Sequence, residues 1–186
     1  MTTILTESAT VRPHYGYMQT ALSLAQRGLG NVWPNPAVGC IIVNNDRIVG
    51  RGWTQPGGRP HAEREALDRA GDLALGATAY ITLEPCSHQG QTPPCADALI
   101  EAGIKQVFVG FTDPDDRMSG KGIDKLRTAG IEVEAEFLSD EAANSNKGFF
   151  TRVEKGRPHF TLKTATTADG KIATKRNDSK WITGDE

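Results

Sequence analysis

The sequence is poor in cysteine and in aromatic residues, carries no surplus of positive charge, and has no long hydrophobic run. Of its 186 residues, three are cysteine and 6% are aromatic, and the formal net charge is −2. Three cysteines are too few for a closed disulfide framework, so we expect free thiols in a reducing compartment. Without a basic surplus there is no electrostatic reason to expect a nucleic-acid partner. Because no apolar run approaches membrane-spanning length, we expect no membrane partner either.

The N-terminal stretch MTTILTESATVRPHYGYM lacks the basic start and apolar core of a secretory signal. We therefore expect a soluble, cytoplasmic protein whose partner is a small-molecule substrate. A chain of 186 residues is long enough for one domain with a substantial core but too short for a second complete domain.

Helices alternate with short apolar strands along most of the chain, which predicts an α/β fold. Residues 15–30 have helical spacing, and the run AVGCIIVNNDRIVGRGW predicts a hairpin that turns at Asn44–Asp46. After the hairpin we expect, in order, a helix at 61–72, a strand at 77–85, a helix at 96–103, a strand at 105–111, a helix at 120–130 and a strand at 131–137. This alternation indicates parallel connections, and the hairpin makes the sheet mixed.

The last part of the chain predicts a change of organisation. Residues 139–150 fit one more helix, and the charged segment 151–158, closed by a glycine and a proline, fits a linker. Residues 159–186 begin like a strand and continue into a turn at Ala168–Gly170. They are too few to bury a core of their own. We therefore divide the chain into a domain at 1–150, a linker at 151–158 and an incomplete unit at 159–186.

Two of the cysteines, Cys86 and Cys95, share the proline-rich loop PCSHQGQTPPC. His61 and Glu63 form an H-x-E pattern at the start of the helix before it. In an open α/β sheet the loops at the carboxyl ends of the strands line one crevice, so both segments can reach the same place. Residues two apart on a regular helix point about 200° apart. His61 and Glu63 therefore converge only if His61 occupies the entry turn, which Pro60 favours.

One imidazole and two thiolates are a ligand set typical of zinc. We expect one zinc ion per chain at His61, Cys86 and Cys95, with the fourth tetrahedral position open for a water or hydroxide. Zinc lowers the pKa of such a water to about 7. Glu63, if it is not a ligand, can move protons from the water to a ring nitrogen and a leaving amine. The pattern resembles that of zinc nucleobase deaminases, although eight residues separate the two cysteines here instead of two.

Other interpretations of these residues stay open. Cys86 and Cys95 can be two thiols without a metal, although apolar packing does not account for cysteines bracketed by proline in a polar loop. A closed structural zinc site with His88 as fourth ligand would make the domain a non-catalytic interaction module that unfolds on chelation. A deaminase of another nucleobase, nucleoside or tRNA base is a further alternative. Cys40, in the apolar run AVGCIIV, is interpreted as a buried thiol.

At these residues the sequence resembles the deaminase half of the bifunctional riboflavin-biosynthesis deaminase/reductase family. The resemblance runs from residue 18 to 150 through PNPAVGCIIV, HAEREAL and YITLEPCSHQGQTPPCADALI. It implies a cytidine-deaminase-like three-layer α/β/α sandwich, zinc at His61, Cys86 and Cys95, and Glu63 as proton shuttle. The implied reaction is hydrolytic deamination of the phosphoribosylated diamino-hydroxypyrimidine intermediate of riboflavin biosynthesis, with release of ammonia. A homo-oligomer would fit this family.

The resemblance also implies residues that bind the substrate. Asn35 of PNPAVG and His88 of PCSH would contact the pyrimidine, and Asp113 would contact the ribose-phosphate side. Where this chain has Thr54, Gln91 and Asp115, the family often has His, a cation and Asn. Fewer cations and an added acid weaken phosphate binding, because charge-assisted contacts are the strong ones. We hypothesise that Arg59 or Lys121 binds the phosphate and so compensates for the missing cation.

The tail segments FTLKTATTADGKIAT and SKWITG resemble the opening of the family's reductase domain. That domain uses NADPH, and Lys163 and residues 179–183 match its early substrate-site segments. Because the rest of that domain is absent from these 186 residues, we assign no cofactor-binding residue and expect no reductase activity from this chain alone.

Overall fold

The computed structural model describes residues 11–90, 92–115 and 118–179. Within them the regular elements, in chain order, are α1 (Val11–Ala25), β1 (Gly39–Asn44), β2 (Arg47–Trp53), α2 (Ala62–Ala70), β3 (Thr78–Ile81), α3 (Cys95–Glu101), β4 (Gln106–Val109), α4 (Lys121–Thr128), β5 (Glu132–Glu134), α5 (Ser139–Ser145) and α6 (Lys147–Lys155). Up to β5 their order is the one predicted from the sequence. None of the helices in these described ranges combines the length and apolar character needed to cross a membrane.

The strands form one mixed sheet in the described part of the chain, in the order β2-β1-β3-β4-β5. β1 pairs antiparallel with β2 and with β3, whereas β3–β4 and β4–β5 are parallel. The hairpin between β1 and β2 turns through Asn45 and Asp46, whose φ angles of 49° and 57° are left-handed. Asn and Asp tolerate this conformation well, which is why the sequence signal located the turn. The predicted mixed sheet is confirmed.

Helices cover both faces of the sheet, because side chains of the central strands alternate between two buried clusters. One face carries Cys40, Ile42, Ile81 and Val107 and packs against apolar residues of α2, α3 and α4. The other face carries Ile41, Tyr80 and Phe108 and packs against α1 and α5. This period-two alternation with burial on both sides produces the three-layer α/β/α sandwich that the family resemblance implied. Cys40 is fully buried, as expected.

Helix α2 lies unusually close to the backbone of β2. A Cβ atom at Gly52 would collide with the carbonyl oxygen of Ala62, the first residue of α2. The inward side of the helix is correspondingly small, with Ala66 and Ala70 buried. Glu65 and Arg69 form an ion pair one turn apart on the outer side. The glycine therefore allows the start of α2, which carries H-x-E, to approach the sheet.

The segment 151–158 is not a linker throughout, because α6 continues to Lys155. The single helix expected at 139–150 is instead two helices that meet at Asn146, whose side chain bonds the backbone of Ala37 in both directions. The Phe150 ring packs against that of Phe111 with centroids 5.0 Å apart. Arg152 donates to the carbonyl oxygen of Pro34 over 2.8 Å. These contacts hold the second helix on the body of the fold.

Residues 159–179 form no strand in the part of the tail that the structure describes, so the expected strand at its start is wrong. Phe160 and Leu162 are largely exposed, since no neighbouring strand is there to pair with them. The expected turn at Ala168–Gly170 is present, and the Gly170 N–H donates to the carbonyl oxygen of Thr167 over 2.9 Å. The division of the chain into domains stays a prediction.

Candidate metal and catalytic site

The starts of two helices and one strand-end loop bring three metal-binding side chains together. His61 is the N-cap of α2, with the extended backbone angles φ −72° and ψ 159°, and Cys95 is the first residue of α3. Cys86 follows β3. The His61 Nδ1 lies 3.7 Å from the Cys86 Sγ and 3.4 Å from the Cys95 Sγ. His61 is therefore at the helix entry, as the H-x-E argument required, whereas Pro60 precedes the helix and is not in its first turn.

The spacing of these three ligand atoms fits a zinc ion. With Zn–N near 2.0 Å and Zn–S near 2.3 Å, tetrahedral geometry places the nitrogen and a sulfur about 3.6 Å apart. The two observed separations, 3.7 and 3.4 Å, lie on either side of that value. All three ligand atoms lie within 4.8 Å of one another, and in the described residues no other group of this kind occurs. His61, Cys86 and Cys95 can thus hold zinc without rearrangement.

Hydrogen bonds prepare Cys86 as a thiolate. The Cys95 side chain, the His61 ring and the Cys95 backbone N–H lower the pKa of the Cys86 thiol, while burial opposes them. The Cys95 N–H donates to the Cys86 Sγ over 3.2 Å, and the Ala96 N–H donates to the Cys86 carbonyl oxygen over 3.1 Å. The first amide of α3 therefore stabilises a thiolate at Cys86 rather than at Cys95 itself.

Glu63 lies in the first turn of α2 and is only 3% exposed. Burial raises the pKa of its carboxyl to about 7, a shift that the nearby His61 partly offsets. Its side chain also interacts with Cys95. Glu63 lines the same cavity as His61 and Cys86. A buried carboxyl that faces the ligand group without belonging to it has the placement of a general acid and base.

That cavity has a volume of about 460 Å³ and is lined by all three residues implied as substrate contacts. Asn35 donates from Nδ2 to the Gly58 carbonyl oxygen over 2.8 Å. The His88 ring places Nδ1 3.0 Å from the Met118 Sδ, and His88 does not belong to the metal-binding group. Asp113 is buried and accepts the Asp115 N–H at Oδ1 over 3.0 Å. The structure thus brings these residues to one cavity, and their contacts with substrate stay a prediction.

The departures from the family pattern have different structural consequences. Thr54 is buried, and its Oγ1 accepts the Val38 N–H over 2.9 Å, so it supports β1. Asp115 lines the cavity, which adds an acid there. Of the two proposed cations, Arg59 lines the cavity, whereas Lys121 is exposed and does not appear among the described lining residues. Gln91 lies outside the described residues.

Two cavity residues were missed by the sequence argument, Glu84 and Arg152. Glu84 is 4% exposed and lies three residues after the end of β3, and a carboxylate at the end of the apolar run AYITL was the available signal. Arg152 fell in the segment interpreted as a linker. Its guanidinium lies over the Trp33 ring at 4.7 Å, a contact between distant parts of the chain that no local pattern announces.

Known proteins share both the sequence and the fold of this chain. A family model of the cytidine and deoxycytidylate deaminase zinc-binding region matches residues 12–111. The riboflavin biosynthesis protein RibD of Aquifex aeolicus is 53% identical over 170 residues, which cover 91% of this chain and 48% of that protein. The diaminohydroxyphosphoribosylamino-pyrimidine deaminase of Buchnera aphidicola subsp. Schizaphis graminum is 51% identical over 142 residues, 76% of this chain and 97% of that protein.

A solved structure is also similar: the crystal structure of the deaminase/reductase of Thermotoga maritima superposes on this chain with a TM-score of 0.86 at 47% identity. The match covers 94% of this chain and 51% of the Thermotoga chain. The chain therefore spans about half the length of the RibD relatives it matches. The match to the Buchnera deaminase places the likeness in the deaminase part. The chain belongs to the zinc-binding cytidine and deoxycytidylate deaminase family, within its riboflavin-biosynthesis branch.

Proposed function

We propose that this chain hydrolytically deaminates the phosphoribosylated diamino-hydroxypyrimidine intermediate of riboflavin biosynthesis and releases ammonia. The observation that carries the proposal is the cavity lined by His61, Cys86 and the buried carboxyl of Glu63. Cys95 completes the metal-binding group beside it. The names of the RibD and deaminase relatives, which are 53% and 51% identical in sequence to this chain, point to this substrate.

His61, Cys86 and Cys95 would hold zinc. The bound ion would supply a water whose pKa is lowered to about 7, which makes hydroxide available near neutral pH. Glu63 would accept the proton of the attacking water and deliver it first to a ring nitrogen and then to the leaving amine. A carbon–oxygen bond forms, the carbon–nitrogen bond breaks, and the amino group leaves as ammonia. The burial of Glu63 keeps bulk water from competing for these protons.

The rest of the cavity would bind the substrate. Asn35 and His88 would contact the pyrimidine, and Asp113 would contact the ribose-phosphate side. Arg59 would bind the phosphate, because among the described cavity residues it is a cation attached to the proline-rich loop, through Thr92 at 2.8 Å. We further infer that the enzyme is cytoplasmic and acts on a small molecule rather than on nucleic acid. A homo-oligomer would fit this family. NADPH would serve only the reductase part that these residues do not contain.

The decisive experiment measures ammonia release from this pyrimidine by the parent protein and by Glu63→Gln. The zinc content of both proteins is measured as well. Removal of a general acid and base costs about 10²–10⁴-fold in rate, so we expect turnover to fall that far while the zinc content stays unchanged. Glu65→Gln is the matched control, since this residue lies on the outer side of the same helix in an ion pair with Arg69. Its turnover should equal that of the parent.

The alternatives give different results in the same assay. Absence of ammonia release from folded, zinc-loaded parent would refute the proposed substrate, and trials with other nucleobases, nucleosides and tRNA would then identify a different deaminase. A fourth protein ligand on the zinc would indicate the structural module. The separation of His88 from the metal-binding group argues against that module, because His88 was its candidate fourth ligand.

A further inference from the structure

Glu84 lies between β3 and Cys86, and its carboxylate accepts three backbone N–H groups from a distant stretch of chain. Its Oε2 accepts from Asp113 over 3.2 Å and from Gly120 over 2.9 Å. Its Oε1 accepts from Gly122 over 2.7 Å. We propose that Glu84 is a positioning residue that holds the cavity wall formed by residues 112–115 and 118–122 against the metal half of the site. This inference rests on the proposed function.

The chemistry of the three bonds suits a carboxylate and no neutral side chain. An ionised carboxyl only accepts hydrogen bonds and offers about four lone-pair sites on two oxygens. Its bonds to N–H groups are charge-assisted and stronger than neutral ones. Glu84 is 4% exposed, so water cannot readily replace it as a partner for these donors. A buried N–H group that loses its acceptor is destabilising, which makes the wall depend on Glu84.

The backbone of this wall is shaped to reach Glu84. A Cβ at Gly122 would collide with the carbonyl oxygen of Pro85 and would lie 3.2 Å from the Glu84 Oε1. Gly120 has a φ of 86°, which L side chains rarely adopt. The two glycines therefore permit a close approach that larger residues would prevent, and the approach delivers two of the three N–H donors.

The wall carries groups that face the proposed substrate. The Asp113 N–H is itself bound by Glu84, and the Asp113 carboxylate orders the next turn by accepting the Asp115 N–H. Met118, two residues before Gly120, places its sulfur 3.0 Å from the His88 ring. Asp113 and His88 are both proposed substrate contacts. Displacement of the wall would move the first directly and remove the packing partner of the second.

The metal ligands are held by other contacts. His61 caps α2, Cys95 begins α3, and the loop around Cys86 is fixed by the N–H groups of Cys95 and Ala96. None of these described contacts uses the Glu84 carboxylate. Loss of the carboxylate should therefore impair substrate binding more than zinc binding or the chemical step, which is the signature that separates positioning from a role in the metal site.

The test is Glu84→Gln, which keeps the shape but turns an amide NH₂ toward at least one of the three donors. We expect KM for the phosphorylated pyrimidine to rise about tenfold or more, since a buried donor loses its partner. We expect kcat to change by less than about threefold, because the reacting groups stay in place. Zinc content should be unchanged, and amide hydrogen exchange at Gly120 and Gly122 should accelerate about tenfold or more.

Glu136→Gln is the matched control. Glu136 is exposed and accepts both the backbone N–H and the hydroxyl of Thr112 through one oxygen, Oε1. A glutamine carbonyl can replace that single acceptor, so KM and exchange at Gly120 should equal those of the parent. The control also replaces a carboxylate by an amide, but at the residue that bonds Thr112 at the start of the wall, and it leaves Glu84 unchanged.

An unchanged KM and unchanged exchange in Glu84→Gln would overturn the inference, and so would a joint loss of zinc and kcat at constant KM. If the parent releases no ammonia, the proposed function fails on its own, and the exchange rates still decide whether Glu84 holds the wall. If Glu84→Gln does not fold, Gly122→Ala replaces it, because the added methyl pushes the wall away from Pro85 while the carboxylate stays. An unchanged KM in Gly122→Ala would then be the refuting result.

Discussion

Replacement of Arg59 with glutamine tests whether this guanidinium binds the substrate phosphate. The Arg59 Nη1 donates to the Thr92 Oγ1 over 2.8 Å, and a Cβ at Gly90 would lie 3.4 Å from the Arg59 Nη2. Arg59 thus bonds to the loop at Thr92 and lies close to it at Gly90, on either side of Gln91, where the family resemblance implies a cation. We infer that Arg59, which lies just before α2, supplies the positive charge that the proline-rich loop lacks at Gln91.

The expected magnitude follows from these contacts. One guanidinium N–H is committed to Thr92, which leaves others for a phosphate oxygen. A hydrogen bond between charged groups contributes about 1.5–3 kcal/mol, and the partial exposure of Arg59 lowers this to about 1–1.5 kcal/mol through solvent screening. At 1.4 kcal/mol per factor of ten, KM should rise about tenfold in Arg59→Gln. The kcat should hardly change, because the phosphate is remote from the reacting carbon.

The assay compares the phosphorylated pyrimidine with its dephosphorylated form. The Arg59→Gln defect should appear only with the phosphorylated substrate, and added salt should reduce the difference between parent and variant. Lys121→Gln is the control, because Lys121 is exposed and does not line the cavity among the described residues, so its KM should be that of the parent. An equal defect with both substrates, or a larger defect in Lys121→Gln, would refute the assignment of the phosphate to Arg59.

Two further predictions concern the metal and the core. Removal of zinc with a chelator should abolish ammonia release and leave the far-ultraviolet circular dichroism unchanged, because the two apolar clusters do not depend on the metal ligands for their packing. Unfolding on chelation would instead support a structural zinc module. Ile42→Ala should lower the free energy of unfolding in urea by about 2–5 kcal/mol, since Ile42 is fully buried in β1, an internal strand of the sheet. Leu73→Ala, at an exposed position, should leave it unchanged, and an equal loss in both would contradict the core assignment.

The succession of elements up to β5, the mixed character of the sheet and the metal-binding group could be predicted because their signals are local. Asn45 and Asp46 mark the hairpin turn within one short stretch, and short continuous apolar runs mark the buried strands. His61 directly precedes the first residue of α2, and Cys95 begins α3, the next helix in the α/β alternation. Strand-end loops on one sheet edge converge by topology alone, so no long-range contact had to be known.

The missed features depend on contacts between distant segments. Residues 151–155 are charged and were interpreted as a linker, yet the helix persists because Phe150 packs on Phe111 and Arg152 bonds to Pro34. The expected strand at the start of the tail fails for the converse reason. Its apolar residues, Phe160 and Leu162, have strand character but no neighbouring edge to pair with. In both segments the local sequence pattern alone gives the wrong secondary structure, because contacts with distant residues decide whether a helix or a strand forms.

The cavity therefore has two halves, one fixed by short spacings in the sequence and the other by contacts between distant residues. The metal half is built from helix starts, so its residues are fixed by short spacings such as H-x-E. The substrate half is built from a wall that returns to Glu84 after 29 to 38 residues and from Arg59 on a separate loop. A substitution at Thr54, Gln91 or Asp115 can alter the second half while the first stays intact. Differences in substrate preference among relatives with the same metal ligands should accordingly arise in this wall and in the proline-rich loop.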